Sequence, residues 1–258
     1  MRSVWSGALG FGLVNIPVKL YTAIETSELD LDMLDRRDFA NIRFKRVNEK
    51  TGSEVPWENI VKAYNYEGQY VVLEDDDFEQ ANAKKTKMID IEDFVKLEEV
   101  DSIYYESSYY VAPEATGNKA YSLLRQALLK TGKVGLATFV MRSKEKLALV
   151  RATDKLIILH RLHFPEEIRD TAELKLPEND TFKPKELDIA VTLIDQQTAT
   201  FDTAKFQNTY AKDLMAIIER KAKGIKKQPQ KMEIVHSTSS DLIEQLKASL
   251  NMKRNKAS

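Results

Sequence analysis

The chain of 258 residues contains no cysteine. That absence removes disulfides, thiolate nucleophiles and cysteine-ligated zinc or iron–sulfur sites in one step, and it fits a reducing compartment. No run of 18 apolar residues is present, so no segment reads as a membrane span. The first apolar stretch carries neither a basic leader nor a small-residue cleavage site, so it does not read as a signal peptide. A cytoplasmic protein without a membrane partner is expected. The motifs of nucleotide and hydrolytic chemistry are missing as well: there is no P-loop, no G-x-S-x-G element and no dinucleotide fingerprint. His160 and His163 fall on opposite faces of a strand, which spoils a metal pair. Glu74-Asp75-Asp76-Asp77 lacks the Gly and terminal Glu of a calcium loop. It reads instead as an acidic helix start, favoured by the helix dipole. No catalytic residue, metal ligand or cofactor is assigned, and the chain is not read as an enzyme.

Glycine is scarce, nine in all, yet three of them (Gly7, Gly10, Gly12) fall in the run Trp5–Tyr21, WSGALGFGLVNIPVKLY. Glycine at that density costs a helix about 1 kcal/mol per residue. A bent strand with close backbone neighbours suits the run better, with Pro17 at an edge or bulge. Further strands are expected at Ile42–Lys45, Gln69–Leu73, Met88–Leu97, Ile103–Val111, Val134–Met141, Lys146–Arg151 and Leu156–Phe164, where apolar residues alternate with polar ones or cluster in short β-branched and aromatic runs. Many short strands point to a barrel or sandwich. A short helix is expected after Leu73, capped by Asp75 or Asp76. A longer one carries Ala120, Leu123, Leu124, Ala127 and Leu128, with Gly132 as C-cap. Near Pro165 the texture changes. Pro184 opens a helix lined by Leu187, Ala190, Val191 and Ile194. A second helix presents Phe206, Tyr210, Leu214, Ile217 and Ile218 and ends at Gly224. After a polar linker, Leu242, Ile243, Leu246 and Leu250 give a short amphipathic helix, suited to docking a partner or packing on its own domain.

The formal net charge is −1, but its distribution is uneven. Residues 205–258 hold 12 Lys and Arg against 5 Asp and Glu. The remainder is therefore acidic and the C-terminal part basic, a segregated field of the kind that contacts polyanions.

Four segments carry a family resemblance: the opening run, VDSIYYESSYYVAPE (Val100–Glu114), AYSLLRQALLKTGKVGLATFVMRSKEKLALVR (Ala120–Arg151) and YAKDLMAIIERKAKG (Tyr210–Gly224). Together, in this order, they resemble bacterial Ku, the DNA end-binding family of non-homologous end joining. The resemblance implies a mixed, mainly β fold: a Ku-core β-barrel with a helical C-terminal arm, in a ring-forming homodimer without the extra domains of eukaryotic forms. It divides the chain into a core with ring-forming excursions (1–204), a helical dimerisation arm (205–228), and a linker with a short ligase-recruiting helix and basic tail (229–258). The implied partners are double-stranded DNA ends, a second copy of the chain and the ATP-dependent DNA ligase D. The implied location is nucleoid-associated. IVHSTSSDLIEQLKASL (Ile234–Leu250) resembles the segment that recruits the ligase, through Leu242, Ile243, Leu246 and Leu250. The lysine-rich tail of some members is reduced here to Lys253, Arg254 and Lys256. Cysteines that some members carry near the position of Asn48 are absent, so no metal is implied.

A protein that accepts any DNA end must contact phosphates and sugars, which Lys and Arg do by releasing counterions. The segments matching the family's ring-lining elements supply the candidates. They are Lys19; Arg36, Arg37, Arg43, Lys45 and Arg46 on a long excursion; Lys84, Lys85 and Lys87; and Arg142, Lys144 and Lys146 on a tight connection. Phe206, Tyr210, Leu214, Ile217 and Ile218 are the dimerisation candidates. The alternative is a β-barrel module for single-stranded nucleic acid or RNA, with Tyr104, Tyr105, Tyr109 and Tyr110 as stacking platforms. A strand would place members of each tyrosine pair on opposite faces, so about half of them should be core.

Overall fold

The structure is a computed structural model that describes residues 1–81, 87–176 and 184–224. It divides into two compact units, Met1–Thr26 with Leu31–Asp170, and Ser27–Asp30 with Thr171–Ser258.

The first unit is built on a closed barrel. Its strands are β1 (Trp5–Phe11), β2 (Val14–Thr22), β5 (Met88–Lys96), β6 (Tyr105–Pro113), β7 (Lys133–Met141), β8 (Lys144–Ala152) and β9 (Ile157–Leu162), in the spatial order β1-β2-β6-β9-β8-β7-β5. Neighbours are antiparallel except at the closing seam, where β1 runs parallel to β5 with Ala8 opposite Met88. The glycines of the opening run explain that seam. A Cβ on Gly7 would lie 2.1 Å from the Lys87 carbonyl oxygen, so only glycine lets the two backbones approach. The run is two strands rather than one bent strand, because Gly12 adopts φ +59° and turns the chain between Phe11 and Val14. Pro17 sits one residue past the β2–β6 ladder. Its pair partner Ala8 sends its own N–H to Lys87 instead, so the missing donor breaks no bond.

Alternation decides the core. Leu9, Ile16, Val18, Leu20, Ile89, Val111, Val150, Ile157 and Leu159 point inward and are almost fully buried. Helix α2 (Asn118–Thr131) adds Tyr121, Leu124 and Leu128 to that interior and ends at Gly132 in the left-handed conformation. The Tyr121 hydroxyl donates to Val111 O (2.8 Å) and accepts from Ile157 N (2.7 Å), which fastens the helix to the strand ends. Burial raises the pKa of that phenol. A second cluster of Val134, Leu149 and Leu162 lies on the outward face of the sheet, packed against Val95, Leu97, Val100, Tyr104 and Tyr105.

Between β2 and β5 the chain makes a long excursion. It contains the hairpin β3 (Lys62–Tyr66) and β4 (Gln69–Leu73), which pair only with each other, and helix α1 (Asp75–Ala81). The expected strand at Ile42–Lys45 is not formed. That stretch is irregular, flanked by the isolated bridges Leu34↔Asn41 and Val47↔Glu54, because no neighbouring strand is there to accept its ladder. The helix after Leu73 is present, but neither Asp75 nor Asp76 makes the capping bond. Asp77 accepts from Glu74 N instead (2.8 Å).

In the second unit, α3 (Pro184–Gln197) opens on its proline as expected, and α4 spans Thr209–Ala222. Asn208 caps α4 by accepting from Ala211 N (3.3 Å), and its side-chain amide donates to Ser27 Oγ (2.8 Å). Phe206 therefore lies before the helix rather than on it, stacked with Phe201. Neither α3 nor α4 buries a residue.

Candidate nucleic-acid interface

The two ends of the barrel differ. Helix α2 occupies the end where β6 stops and β9 begins. The other end carries the start of β1, the turn between β7 and β8, and the first residues of β5. There Ala8 N donates to Lys87 O (2.8 Å) and Trp5 Nε1 donates to Val140 O (3.0 Å). Lys87 is thereby gathered at one rim with Arg142, Lys144 and Lys146, from which it is remote in sequence.

Strand pairing sets this rim apart from the rest of the barrel. β7 last meets β5 at Thr138, and β8 first meets β9 at Leu147. The pairs Phe139↔Lys146, Val140↔Glu145 and Met141↔Lys144 therefore continue past both neighbours as a two-stranded ribbon. Phe139 and Met141 of these pairs stay buried in the barrel core, so only the turn beyond them extends past that core. The ribbon ends in the two-residue turn Arg142–Ser143, at φ 53° and 60°. The left-handed region costs a non-glycine residue about 1–2 kcal/mol. Lys146 stands near Glu167, whose carboxyl is held below its usual pKa mainly by the Phe164 N–H, then by His163 and Lys146.

The other candidates are dispersed. Lys19 faces outward on β2 and pairs with Glu114 at 3.2 Å. On the excursion, Arg37 grips Asp35 (2.7 Å), which lowers the carboxyl and raises the guanidinium pKa. Lys45 pairs with Glu54 (2.6 Å), and the Arg46 guanidinium lies 4.5 Å over the Trp57 ring. Arg36, Arg43, Lys87, Arg142 and Lys144 form no ion pair among the described residues. Lys84 and Lys85 lie outside the described residues, as do Leu242, Ile243, Leu246 and Leu250. Tyr210, Leu214, Ile217 and Ile218 are on α4, and only Leu214 is half-buried. Of the four tyrosines, Tyr109 is in the core, and Tyr104, Tyr105 and Tyr110 are half-buried.

Sequence reasoning passed over two features. One is the strained turn, legible as Arg-Ser where a tight hairpin favours Asn-Gly. The other is on the outward face of β6, β8 and β9. There His160 Nδ1 bonds Ser108 Oγ (2.9 Å), while His160 Nε2 and Arg151 Nε are buried without a hydrogen-bond partner. Burial, then the Arg151 charge, lowers the His160 pKa to about 4. No group of three or more His, Asp or Glu side chains suited to a metal occurs among the described residues. No helix among them is long and apolar enough to cross a membrane.

These features define a β-barrel protein in which Lys87, Arg142, Lys144 and Lys146 lie at one rim and the other described candidates on β2 and the excursion. Residues 10–189 match the family model described as the Ku70/Ku80 beta-barrel domain. The non-homologous end joining protein Ku of Opitutus terrae is 42% identical over 223 residues, covering 86% of this chain and 80% of that protein. The protein of the same name from Bacillus subtilis is 37% identical over 263 residues, covering 98% and 83%. That of Coxiella burnetii is 41% identical over 227 residues, covering 86% and 83%. The chain belongs to the Ku family, in its bacterial form.

Proposed function

We propose that two copies of this chain close a ring around the end of a double-stranded DNA, hold it through its sugar–phosphate backbone regardless of sequence, and pass it to an ATP-dependent DNA ligase of the ligase D type in non-homologous end joining. The observation that carries this reading is family membership at 37–42% identity to proteins named for that pathway. The electrostatics agree with it. Lys87, Arg142 and Lys144 lie at one barrel rim with no ion pair among the described residues, and such cations would meet phosphates rather than base edges. Self-association has its own support. Phe201, Phe206, Tyr210 and Ile194 expose most of their surface, and so do Trp57, Tyr64 and Tyr70 of the excursion. Exposed large apolar side chains in each unit are candidates for a contact, which two identical chains would make across a two-fold axis. The excursion hairpin thus joins α4 as a candidate for the dimer contact.

Retention by threading gives the test. Binding to linear duplex should be strong and independent of sequence, binding to relaxed closed circles weak, and binding to single strands weaker still, in a gel-shift series that includes hairpin-capped ends. Equal affinity for linear and circular duplex would sink the ring. A preference for single strands would favour the stacking module instead. It would then act through the exposed Tyr64, Tyr66 and Tyr70, because Tyr104, Tyr105, Tyr109 and Tyr110 are packed away. Deleting residues 229–258 should leave threading intact and abolish stimulation of the ligase. Full stimulation without that segment would remove it from the ligase contact.

A further inference from the structure

We propose that the outward face of helix α2 is a docking surface for an acidic, leucine-bearing helical segment of another protein. The inference does not depend on the duplex-binding reading, and it concerns the barrel end away from the β7–β8 turn.

The helix is a fixed platform. Tyr121, Leu124 and Leu128 bury its inner face. The Tyr121 hydroxyl bridges Val111 O and Ile157 N, and the Arg125 guanidinium donates to Thr153 O (3.0 Å) and Asp154 O (2.6 Å). Those bonds commit Arg125 to the barrel. On the opposite side Lys119, Leu123, Gln126 and Lys130 recur at helical spacing and line one exposed stripe, about 16 Å long. Leu129 flanks Gln126 on the side away from Leu123. Leu123 is 65% exposed and Leu129 37%.

Charge gives the partner its sign. No Asp or Glu occurs from 115 to 144, although the chain holds 40 of them, so the helix has no carboxylate of its own. The other described α-helices, α1, α3 and α4, all carry carboxylates. A helix face that had only to be solvated would gain from Glu–Lys pairs four apart and from an acid in its first turn. α2 has neither, and Lys119 stands in that first turn against the dipole. Lys119 and Lys130 form no ion pair among the described residues. Of the neighbouring acids, Glu114 already holds Lys19 at 3.2 Å, and Asp154 meets the helix through its carbonyl. A helical segment with carboxylates at both lysines and leucines between them would answer both features. A phosphate backbone would pair the lysines and leave Leu123 in water. The chain's own residues 225–258 match badly, with seven Lys and Arg against three Asp and Glu. One face of three helical turns is a small contact, so the partner comes and goes.

The probe is a fluorescein-labelled, amidated peptide of about 15 residues with Leu and Glu at helical spacing, titrated with the full chain and read as fluorescence anisotropy. Wild type should bind it. K119E/K130E should bind about tenfold more weakly, and so should Leu123→Ser. The same peptide with Lys in place of Glu should reverse the order, preferring K119E/K130E to wild type. No binding to wild type, no loss in K119E/K130E, or undiminished binding by Leu123→Ser would overturn the proposal. Two further readings name the rival occupants. In gel shifts on linear duplex, both variants should keep the wild-type salt slope; a fall of about 0.9 per lost contact would give the face to phosphates. In sedimentation, both should self-associate as wild type does; a loss would make the face a contact between copies. Either result overturns the proposal. Both variants change exposed side chains only, so Tm should hold at the wild-type value. A fall would mean that the face is packed in solution, which also defeats it.

Discussion

Leu9, Leu20, Ile89 and Leu159 have no accessible surface, whereas Trp57, Tyr70, Phe201 and Phe206 each expose 70% or more of theirs. The first set lies in the barrel, the second in the excursion and in the helical unit. Both regions are rich in large apolar residues, so composition does not separate them. Closure does. Every barrel strand has two hydrogen-bonded neighbours and an inward face, so alternation alone sends side chains into a common interior. The β3–β4 hairpin has one ladder and no layer packed on it, and α3 and α4 bury nothing. A lone two-stranded hairpin is marginal in water. The contrast is one of closure: the barrel supplies its own interior, whereas among the described residues the hairpin and the two helices leave their apolar side chains exposed.

The sharpest way to break that contrast is to truncate on each side of it. Leu159→Ala should cost about 2–5 kcal/mol in chemical denaturation, since the interior cannot collapse onto the vacated volume. Phe206→Ala should leave denaturation of dilute protein nearly unchanged and weaken self-association in sedimentation. Equal destabilisation by the two would show that the helical unit has its own core. Next in size is the seam. Gly7→Ala puts a methyl 2.1 Å from Lys87 O and should destabilise near the upper end of the usual range, about 3 kcal/mol, read as a fall in Tm. No change would mean that the barrel is not closed between β1 and β5.

Charge reversal separates rim from excursion. Glu at Arg142, Lys144 and Lys146 together should weaken duplex binding and flatten its salt dependence, by about 0.9 in slope for each phosphate no longer neutralised. Glu54→Gln, which frees Lys45, should strengthen binding slightly or leave it unchanged. A weakening there would reverse the ranking of the two regions.

The smallest effect concerns His160. Its folded pKa of about 4 lies below the ordinary 6.5, so the folded protein binds fewer protons than the unfolded chain between those values. Stability is therefore complete above about pH 6.5 and declines as pH falls toward 4. His160→Gln should flatten a plot of Tm against pH across that window. An identical pH profile would mean that the imidazole is not desolvated in solution.

Much of the barrel was legible because its strands advertise a period of two. Val134–Met141 and Leu156–Phe164 were placed within a few residues, and α2 with its Gly132 cap was read from helical spacing. Ile42–Lys45 misled because alternation is necessary for a strand but not sufficient. Lys62–Tyr66 escaped because both of its faces are exposed, so no apolar face marks it. Phe206 continued the apolar spacing of α4, yet Asn208 starts the helix after it. For the candidate interface, residue types were legible and their company was not. Arg142, Lys144 and Lys146 are close in sequence, but nothing local predicts that Lys87 joins them or that Glu114 meets Lys19.

The amino-acid order by itself determined what this chain cannot do with sulfur, which segments pleat and which coil, and which family it resembles, because those depend on residue identity and on spacings of two to four. Tertiary structure alone decided that β1 closes against β5, that one barrel end is filled by α2 while Lys87 meets the β7–β8 turn at the other, and which lysines already hold a carboxylate. Such pairings join residues far apart in the chain, and their energies depend on geometry that no local pattern records.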